Sequence, residues 1–412
     1  MRYRISKFCR LCKSKKLSKI LNLTPTPWAD DFRTKSNLKF KQPVVPLDIN
    51  ICEKCNHAQL SHVMRAEDIY LNYTYETASS PTLKKHFELA SKKIIKKLKP
   101  EKKGLVVDIG SNDGMLLSFF KKKGMRVLGI DPMPGIAKKA NRKGIQTLNK
   151  FFSEKYSKQM SKKFGKASII TANNLVADTD NLDEFVRGVK NLMDHKSLFI
   201  FESFYFYLQM KNFVWDFTYH EHYSYFTVIS LQKYFKSLGM EIVDVEAIST
   251  KGGSMRCAVQ LSNGIRKINN SVKKLIKDEK RFGFPNRNLF RKYSNKIDNS
   301  KKNFISRISK LLLEGKKISA YGASATSTTL MYHYNMKFLK SIYDDFKVKH
   351  NTFSPGYHIP VFASKQIYKD KPDYIIVLAW RYKKQIIKKH QEYLKRGGKF
   401  IIPLPKFSII EK

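Results

Sequence analysis

Val106-Val107-Asp108-Ile109-Gly110-Ser111-Asn112-Asp113-Gly114-Met115-Leu116-Leu117 decides the fold of this 412-residue chain. Apolar residues around a single aspartate run into glycine, which reads as a strand buried on both faces and closed by a tight turn. The apolar residues after Gly114 open a helix. Working outward, apolar strand-like runs at 125–130, 167–171, 197–201, 241–248 and 256–261 alternate with helical patterns. Repeated βα units of this kind predict a doubly wound sheet. Residues 265–315 are Lys-rich and helical in period, and predict one or two connecting helices. After them the alternation restarts, with strands expected at 317–321, 341–343, 374–379 and 399–403.

Gly110 and Gly114 allow a ligand to approach the backbone where a side chain would block it. A dinucleotide fingerprint would place glycine where Asn112 stands and would close with a third glycine, which does not fit here. The loop therefore suits a phosphate poorly. The first loop of a methyltransferase fits better, because it takes the amino-acid end of a nucleoside without a phosphate tail, S-adenosylmethionine. Gly129-Ile130-Asp131 supports this, with a carboxylate at a strand end 21 residues after Gly110, where it can accept both ribose hydroxyls. A tight βα turn with a helix-capping aspartate is the competing reading. Asn173-Asn174 also follow a strand, where paired amides hydrogen-bond substrate or backbone.

Cys9-x-x-Cys12 and Cys52-x-x-Cys55 are two knuckles separated by 39 residues. Each turns two thiolates toward one point, and together they complete a tetrahedral zinc site that is closed and structural. A pair of disulfides competes only in an oxidising compartment, and a redox pair needs a thioredoxin-like unit that is absent. Cys257, in a strand-like run, reads as a small core residue.

The densest chemistry is Trp215-Asp216-Phe217-Thr218-Tyr219-His220-Glu221-His222-Tyr223-Ser224-Tyr225-Phe226. It follows a strand expected to end near Glu202, so it belongs on the substrate side of the sheet. A histidine here can take a proton near neutral pH, and a neighbouring glutamate or tyrosine can fix its tautomer or stabilise charge. An aromatic core with satisfied histidines competes with this, as does a metal site through His220 and His222, although no third ligand is evident.

The composition, 42% hydrophobic and 13% aromatic, excludes wholesale disorder. No apolar run approaches the roughly 20 residues of a membrane span. Residues 1–12 lack the apolar stretch of a signal peptide, which predicts a cytoplasmic protein. The net charge of +45 pulls toward nucleic acid. The lysines are dispersed over solvated helix faces, however, and Ile and Asn are abundant, as AT-rich coding produces. Dispersal argues against a nucleic-acid partner.

Taken together these residues resemble the sugar C-methyltransferase family over nearly the whole chain. The resemblance is carried by the cysteine quartet, Tyr73-Thr74-Tyr75 with Ser79-Ser80, the 108–114 loop, and Asn173-Asn174. It is carried further by Tyr219-His220-Glu221-His222 with Tyr225-Phe226, Gly252-Gly253-Ser254 with Arg256, Tyr321-Gly322-Ala323-Ser324-Ala325, His358-Ile359-Pro360 and Lys371-Pro372-Asp373-Tyr374. It implies a zinc-binding domain at 1–68, a class I methyltransferase core at 69–264, a helical connection at 265–315 and a Rossmann-like domain at 316–412.

The substrate it implies is a nucleotide-linked 4-keto deoxysugar methylated at C-3. His222 would remove the proton that the ketone acidifies, and Glu221 and Tyr219 would support the base or the enolate. Asp108, Gly110, Asn112, Gly114, Asp131 and Asn173 would hold S-adenosylmethionine. Tyr75, Asn174, Arg256, Gly322, Ser324 and His358 would meet the substrate, the 322–327 loop holding its diphosphate at a helix N-terminus. A monomer or dimer with no membrane partner is expected.

Two positions depart from the family, which usually has histidine where this chain has Asp178 and Lys251. Either departure alters the acid–base partner or the sugar accepted, so oxygen or nitrogen of a sugar or related metabolite is an alternative acceptor. A nucleic-acid methyltransferase is favoured by charge alone. A non-enzymatic scaffold is opposed by intact Gly110, Gly114, Asp131 and His222.

Overall fold

A computed structural model describes residues 3–64 and 81–412. Tyr73-Thr74-Tyr75 and Ser79-Ser80, and with them the expected substrate contact Tyr75, lie outside the described residues.

The cysteine-bearing segment forms short antiparallel strands, β1 (Tyr3–Ile5), β2 (Leu17–Thr26), β3 (Val45–Cys52), β4 (Ala58–Leu60) and β5 (His62–Met64). The sequence reading expected the zinc site here but not the strands. They follow from alternation: Leu21 and Leu23 on β2, and Leu47, Ile49 and Ile51 on β3, are buried.

The next strands are β6 (Leu105–Ile109), β7 (Arg126–Ile130), β8 (Thr147–Leu148), β9 (Ile169–Asn173), β10 (Leu198–Phe204), β11 (Ser224–Tyr225), β12 (Met240–Ile248) and β13 (Ser254–Leu261). Seven of them make one sheet in the order β12-β13-β10-β9-β6-β7-β8. Every residue of β6 is buried, as the apolar run requires. β6 lies between β7 and β9, so the chain reverses its direction of winding there and opens a crevice at their carboxyl ends. β12 and β13 pair as an antiparallel hairpin, and Cys257 is fully buried on β13. β11 leaves this sheet. It pairs with β4, giving the zinc-side sheet the order β11-β4-β3-β2.

Two helices, Asn270–Phe282 and Arg287–Leu313, make the expected connection, broken at Gly283 with φ +113°. Glu279 on the first is wholly buried. Its carboxylate accepts from the Tyr205 hydroxyl and from the N–H groups of Val228 and Ile229, at the N-terminus of the helix Val228–Ser237.

The remaining strands, β14 (Ile318–Tyr321), β15 (Ile342–Asp344), β16 (Thr352–Phe353), β17 (Pro360–Ala363), β18 (Tyr374–Val377), β19 (Lys399–Ile402) and β20 (Ser408–Ile410), form a second seven-stranded sheet ordered β16-β17-β15-β14-β18-β19-β20. Its five central strands are parallel and β14 sits at the reversal of winding. The chain is therefore α/β throughout its two large units, with a small cysteine-bearing unit in front. No helix among the described residues is long and apolar enough to cross a membrane.

Candidate active site

The four cysteine Sγ atoms lie within 4.8 Å of one another, with Cys9 to Cys55 and Cys12 to Cys52 at 3.5 Å, and none forms a disulfide. Thiolates around tetrahedral zinc, at Zn–S of about 2.3 Å, sit about 3.8 Å apart. The donor set fits, and the quartet holds a structural zinc.

At the crevice over β6, the turn is held from the second strand. Asp131 Oδ2 accepts from the Asn112 N–H at 2.9 Å and Oδ1 from the Met133 N–H at 3.0 Å. Asn112 has φ +49° and Gly114 +76°, and Gly114 caps the helix Met115–Lys121 in a conformation that glycine adopts without strain. Gly129 is required by close approach, since a Cβ there would fall 2.5 Å from Ser111 Oγ. Asp108 accepts from the Thr171 hydroxyl at 2.6 Å, and burial lifts its carboxyl to about 7. Burial raises Asp131 too. Each Asp131 oxygen keeps a lone pair beyond the turn, so the carboxylate can hold the loop and meet a ribose together.

Asn173 ends β9, and Asn174, at φ +54°, donates its N–H to the Glu202 carbonyl at 2.7 Å. A Cβ on Gly110 would touch Leu175 at 3.3 Å, so the cofactor turn and the Asn174–Asp178 stretch are neighbours. Asp178 follows on a short 3-10 turn, with Oδ1 buried and without a hydrogen-bond partner among the described residues.

The Tyr-His-Glu-His segment packs at the other side of this crevice. His222 is buried, and its Nδ1 is 3.0 Å from the Phe217 carbonyl oxygen. A carbonyl can only accept, so the bond requires the proton on Nδ1 and leaves Nε2 with its lone pair. Rings crowd the imidazole, with Tyr219 at 3.9 Å, Phe204 at 4.4 Å and Phe217 at 5.0 Å between centroids. Burial holds His222 down at about 3, so it is neutral at physiological pH. Glu221 is half-buried and accepts from the Trp28 indole at 3.3 Å; burial, then the charge of Asp30, pushes its carboxyl up to about 7. His220 points Nε2 at the Pro46 carbonyl, 3.3 Å away. Among the described residues, no grouping of three or more ligating side chains at metal-binding spacing includes these two histidines. The cysteine quartet is the grouping with ligand spacing among the described residues.

Asp178 and Lys251, the two positions read as departures from the resembled family, influence each other electrostatically. Lys251 stands in the turn Thr250–Gly252 at φ +55°, half-buried. Burial lowers its ammonium, while the charges of Asp178, Glu202 and Glu221 raise it. Asp178 is raised well above the usual carboxylate range by burial and then by Glu221, with Lys251 opposing.

Arg256 directs its guanidinium onto protein carboxylates, 3.0 Å from Glu202 and 3.4 Å from Glu246, and Glu202 is also within 2.8 Å of His86 Nε2. In the C-terminal unit, Asp344 at the end of β15 accepts from the Ala323 N–H at 2.6 Å, repeating the Asp131–Asn112 construction. Gly322 is forced, since a Cβ would fall 2.6 Å from the Ala379 Cβ, and Ser324 caps the helix Ala325–His333. That helix docks on the histidine segment through Thr329, whose hydroxyl donates to the Thr218 carbonyl at 2.7 Å. His358 lies apart from His222, with Nε2 3.2 Å from Gln42 Oε1 on the zinc side.

Sequence reasoning missed Arg381, which bridges Asp216 and Thr326 at 2.9 and 3.0 Å and joins the C-terminal unit to the segment before His222. It also missed Trp28. Neither sits at a spacing that would reveal it.

Three family models match in series: a zinc-binding domain over residues 9–70, a methyltransferase domain over 83–245 and a C-methyltransferase C-terminal domain over 249–405. The C-methyltransferase NovU of Streptomyces niveus is 26% identical over 407 residues, covering 98% of this chain and 96% of that protein. Among solved structures, the PH0226 protein of Pyrococcus horikoshii aligns at 12% identity and a TM-score of 0.38, over 47% of this chain and 98% of its own. An S-adenosylmethionine-dependent methyltransferase of Anabaena variabilis aligns at 12% identity and 0.37, over 47% and 91%. With a zinc-binding domain, a methyltransferase domain and a C-methyltransferase C-terminal domain matched in order along one chain, this protein is an S-adenosylmethionine-dependent C-methyltransferase.

Proposed function

We propose that the chain methylates C-3 of a nucleotide-linked 4-keto deoxysugar, with His222 as the base. The observation that carries this is the His222 Nδ1–Phe217 carbonyl bond, which leaves Nε2 free of its proton in buried surroundings. The ketone acidifies the C-3 hydrogen. Nε2 takes that proton, the C–H electrons move into the C3–C4 bond, and negative charge collects on the ketone oxygen. S-adenosylmethionine, when bound, would supply an electrophilic methyl group to the enolate carbon, with S-adenosylhomocysteine as the leaving group.

A resting imidazole of low basicity suits this sequence, because the proton moves as an anion develops beside it and the two charges then pair. Lys251 acts electrostatically on His222 and on Asp178, and is the cation for the developing enolate. Tyr219, packed on the His222 ring, and the adjoining Glu221 support the base, and Asn174 meets the sugar. Tyr75 and Arg256 complete the sugar side. Gly322, Ser324 and His358 belong to the nucleotide half of the substrate. Asp108, Gly110, Asn112, Gly114, Asp131 and Asn173 take the cofactor, with proximity supplying much of the rate. The division at 1–68, 69–264, 265–315 and 316–412 is part of this reading. So is a reducing, cytoplasmic setting, which keeps four zinc-bound thiols from oxidation.

The test is turnover with labelled S-adenosylmethionine and a panel of nucleotide-linked 4-keto sugars in D₂O, followed by mass spectrometry. A methylated sugar, with deuterium exchanged at the carbon beside the ketone, is expected. Methyl gain without exchange would move the acceptor to oxygen or nitrogen. No product from any sugar would overturn the substrate class.

A further inference from the structure

Arg10 is one of the two residues between the zinc ligands Cys9 and Cys12, yet its guanidinium is spent on the methyltransferase core. The side chain is 5% exposed. Nη2 donates to the carbonyls of Thr179 and Asp180 at 2.5 and 2.7 Å, and Nε donates to Ser224 Oγ at 3.1 Å. The same guanidinium lies over the Tyr223 ring at 5.2 Å. Its own backbone N–H is fixed by Gln59 Oε1 at 2.8 Å, and Gln59 is the register partner of Ser224 between β4 and β11. The carbonyl of Tyr223 closes the arrangement by accepting from the Leu60 N–H at 3.0 Å.

Two stretches therefore converge on one side chain. The first begins one residue after Asp178, and the second one residue after His222. None of the Arg10 partners named here belongs to the 105–131 cofactor turn. A planar fork can bridge two carbonyls and a hydroxyl at fixed angles, and a point charge on a flexible stem cannot. Removing the fork leaves part-buried carbonyls without this donor, which favours local opening of the segments that own them.

We propose that Arg10 is a positioning residue. It passes the geometry of the zinc knuckle to the two segments carrying Asp178 and His222, so that the metal shapes the acceptor half of the site without touching it. The cofactor half is left independent of the metal. This rests on reading Asp178 and His222 as acceptor-side residues, but its test does not require the acceptor to be known.

The experiment is hydrogen–deuterium exchange on the full-length, zinc-loaded chain, comparing wild type with Arg10→Gln and Arg10→Lys. In Arg10→Gln, exchange should rise about tenfold or more in peptides covering 176–181 and 219–226. Peptides over 105–131 should stay within about twofold, with zinc content and S-adenosylmethionine affinity retained. Arg10→Lys should protect only partly, because it keeps the charge without the fork. Unchanged exchange in both segments of Arg10→Gln, or full protection by lysine, would overturn the proposal. If Arg10→Gln does not fold, Ser224→Ala decides: faster exchange confined to 219–226 supports the clasp, and no change overturns it. A wrong sugar assignment would leave every one of these readings intact.

Discussion

His222 Nδ1 sits 3.0 Å from the carbonyl oxygen of Phe217, five residues earlier in the same segment. The bond sets the tautomer and aims the basic nitrogen away from the backbone. His222→Ala should lower turnover by roughly 10²- to 10⁴-fold, the usual worth of a positioned base, while S-adenosylmethionine affinity stays within about threefold. Single-turnover kinetics and calorimetry check the two halves. Unchanged turnover would remove His222 as the base.

Glu221 gives a pH signature. Burial raises its carboxyl from an ordinary 4.5 to about 7, so the folded chain holds a proton that the unfolded chain releases between those values. Its stabilising contribution is whole below pH 4.5 and is lost as pH rises through 7. Glu221→Gln keeps a neutral side chain throughout. The variant's melting temperature, relative to wild type, should therefore rise by a few degrees from pH 4.5 to pH 8. Thermal scans across that range test it, and a pH-independent difference would show that Glu221 titrates normally.

Asp178 and Lys251 should behave as a unit. Each single change, Asp178→Asn or Lys251→Met, removes the group that offsets part of the burial cost of its half-buried neighbour. The double variant should lose less stability than the two singles added together, by at least about 0.5 kcal/mol, as residues in electrostatic contact do. Urea unfolding of the four proteins measures the coupling. Strict additivity would separate the two residues.

Breaking the quartet should cost the metal. Cys52→Ser leaves three thiolates and should bring zinc from about one per chain to well below half, measured by elemental analysis after dialysis. Zinc bound one-to-one in this variant would show that Cys52 is not a ligand.

Arg381 pairs with Asp216 where the two side chains are 13% and 0% exposed. Arg381→Ala strands a buried carboxylate that keeps, among the described residues, the Trp380 indole at 2.9 Å. A loss of about 3 kcal/mol is expected, at the lower end for a broken buried pair because that donor remains. Urea titration tests this, and a loss below about 0.5 kcal/mol would mean the pair is solvated.

By itself the sequence determined what is local. The run into Gly110 had to be a buried strand, because apolar residues ending at a glycine have few other uses. Asp131 announced itself by its position at a strand end, and the cysteines by a spacing that thiolate geometry imposes. The connecting helices and the second parallel sheet were also legible from period alone. Tertiary structure decided what distant residues do to one another. It made β12 and β13 a hairpin, although each alone reads like any apolar strand. It drew Ser224 and Tyr225 into the zinc-side sheet across more than 160 residues, since two residues carry no periodicity that names a partner. It turned Arg256 onto Glu202 and set Asp178 against Lys251, because a charge in sequence shows its sign but not its neighbour. The proton on His222 was settled the same way, by a carbonyl whose direction exists only once the chain has folded.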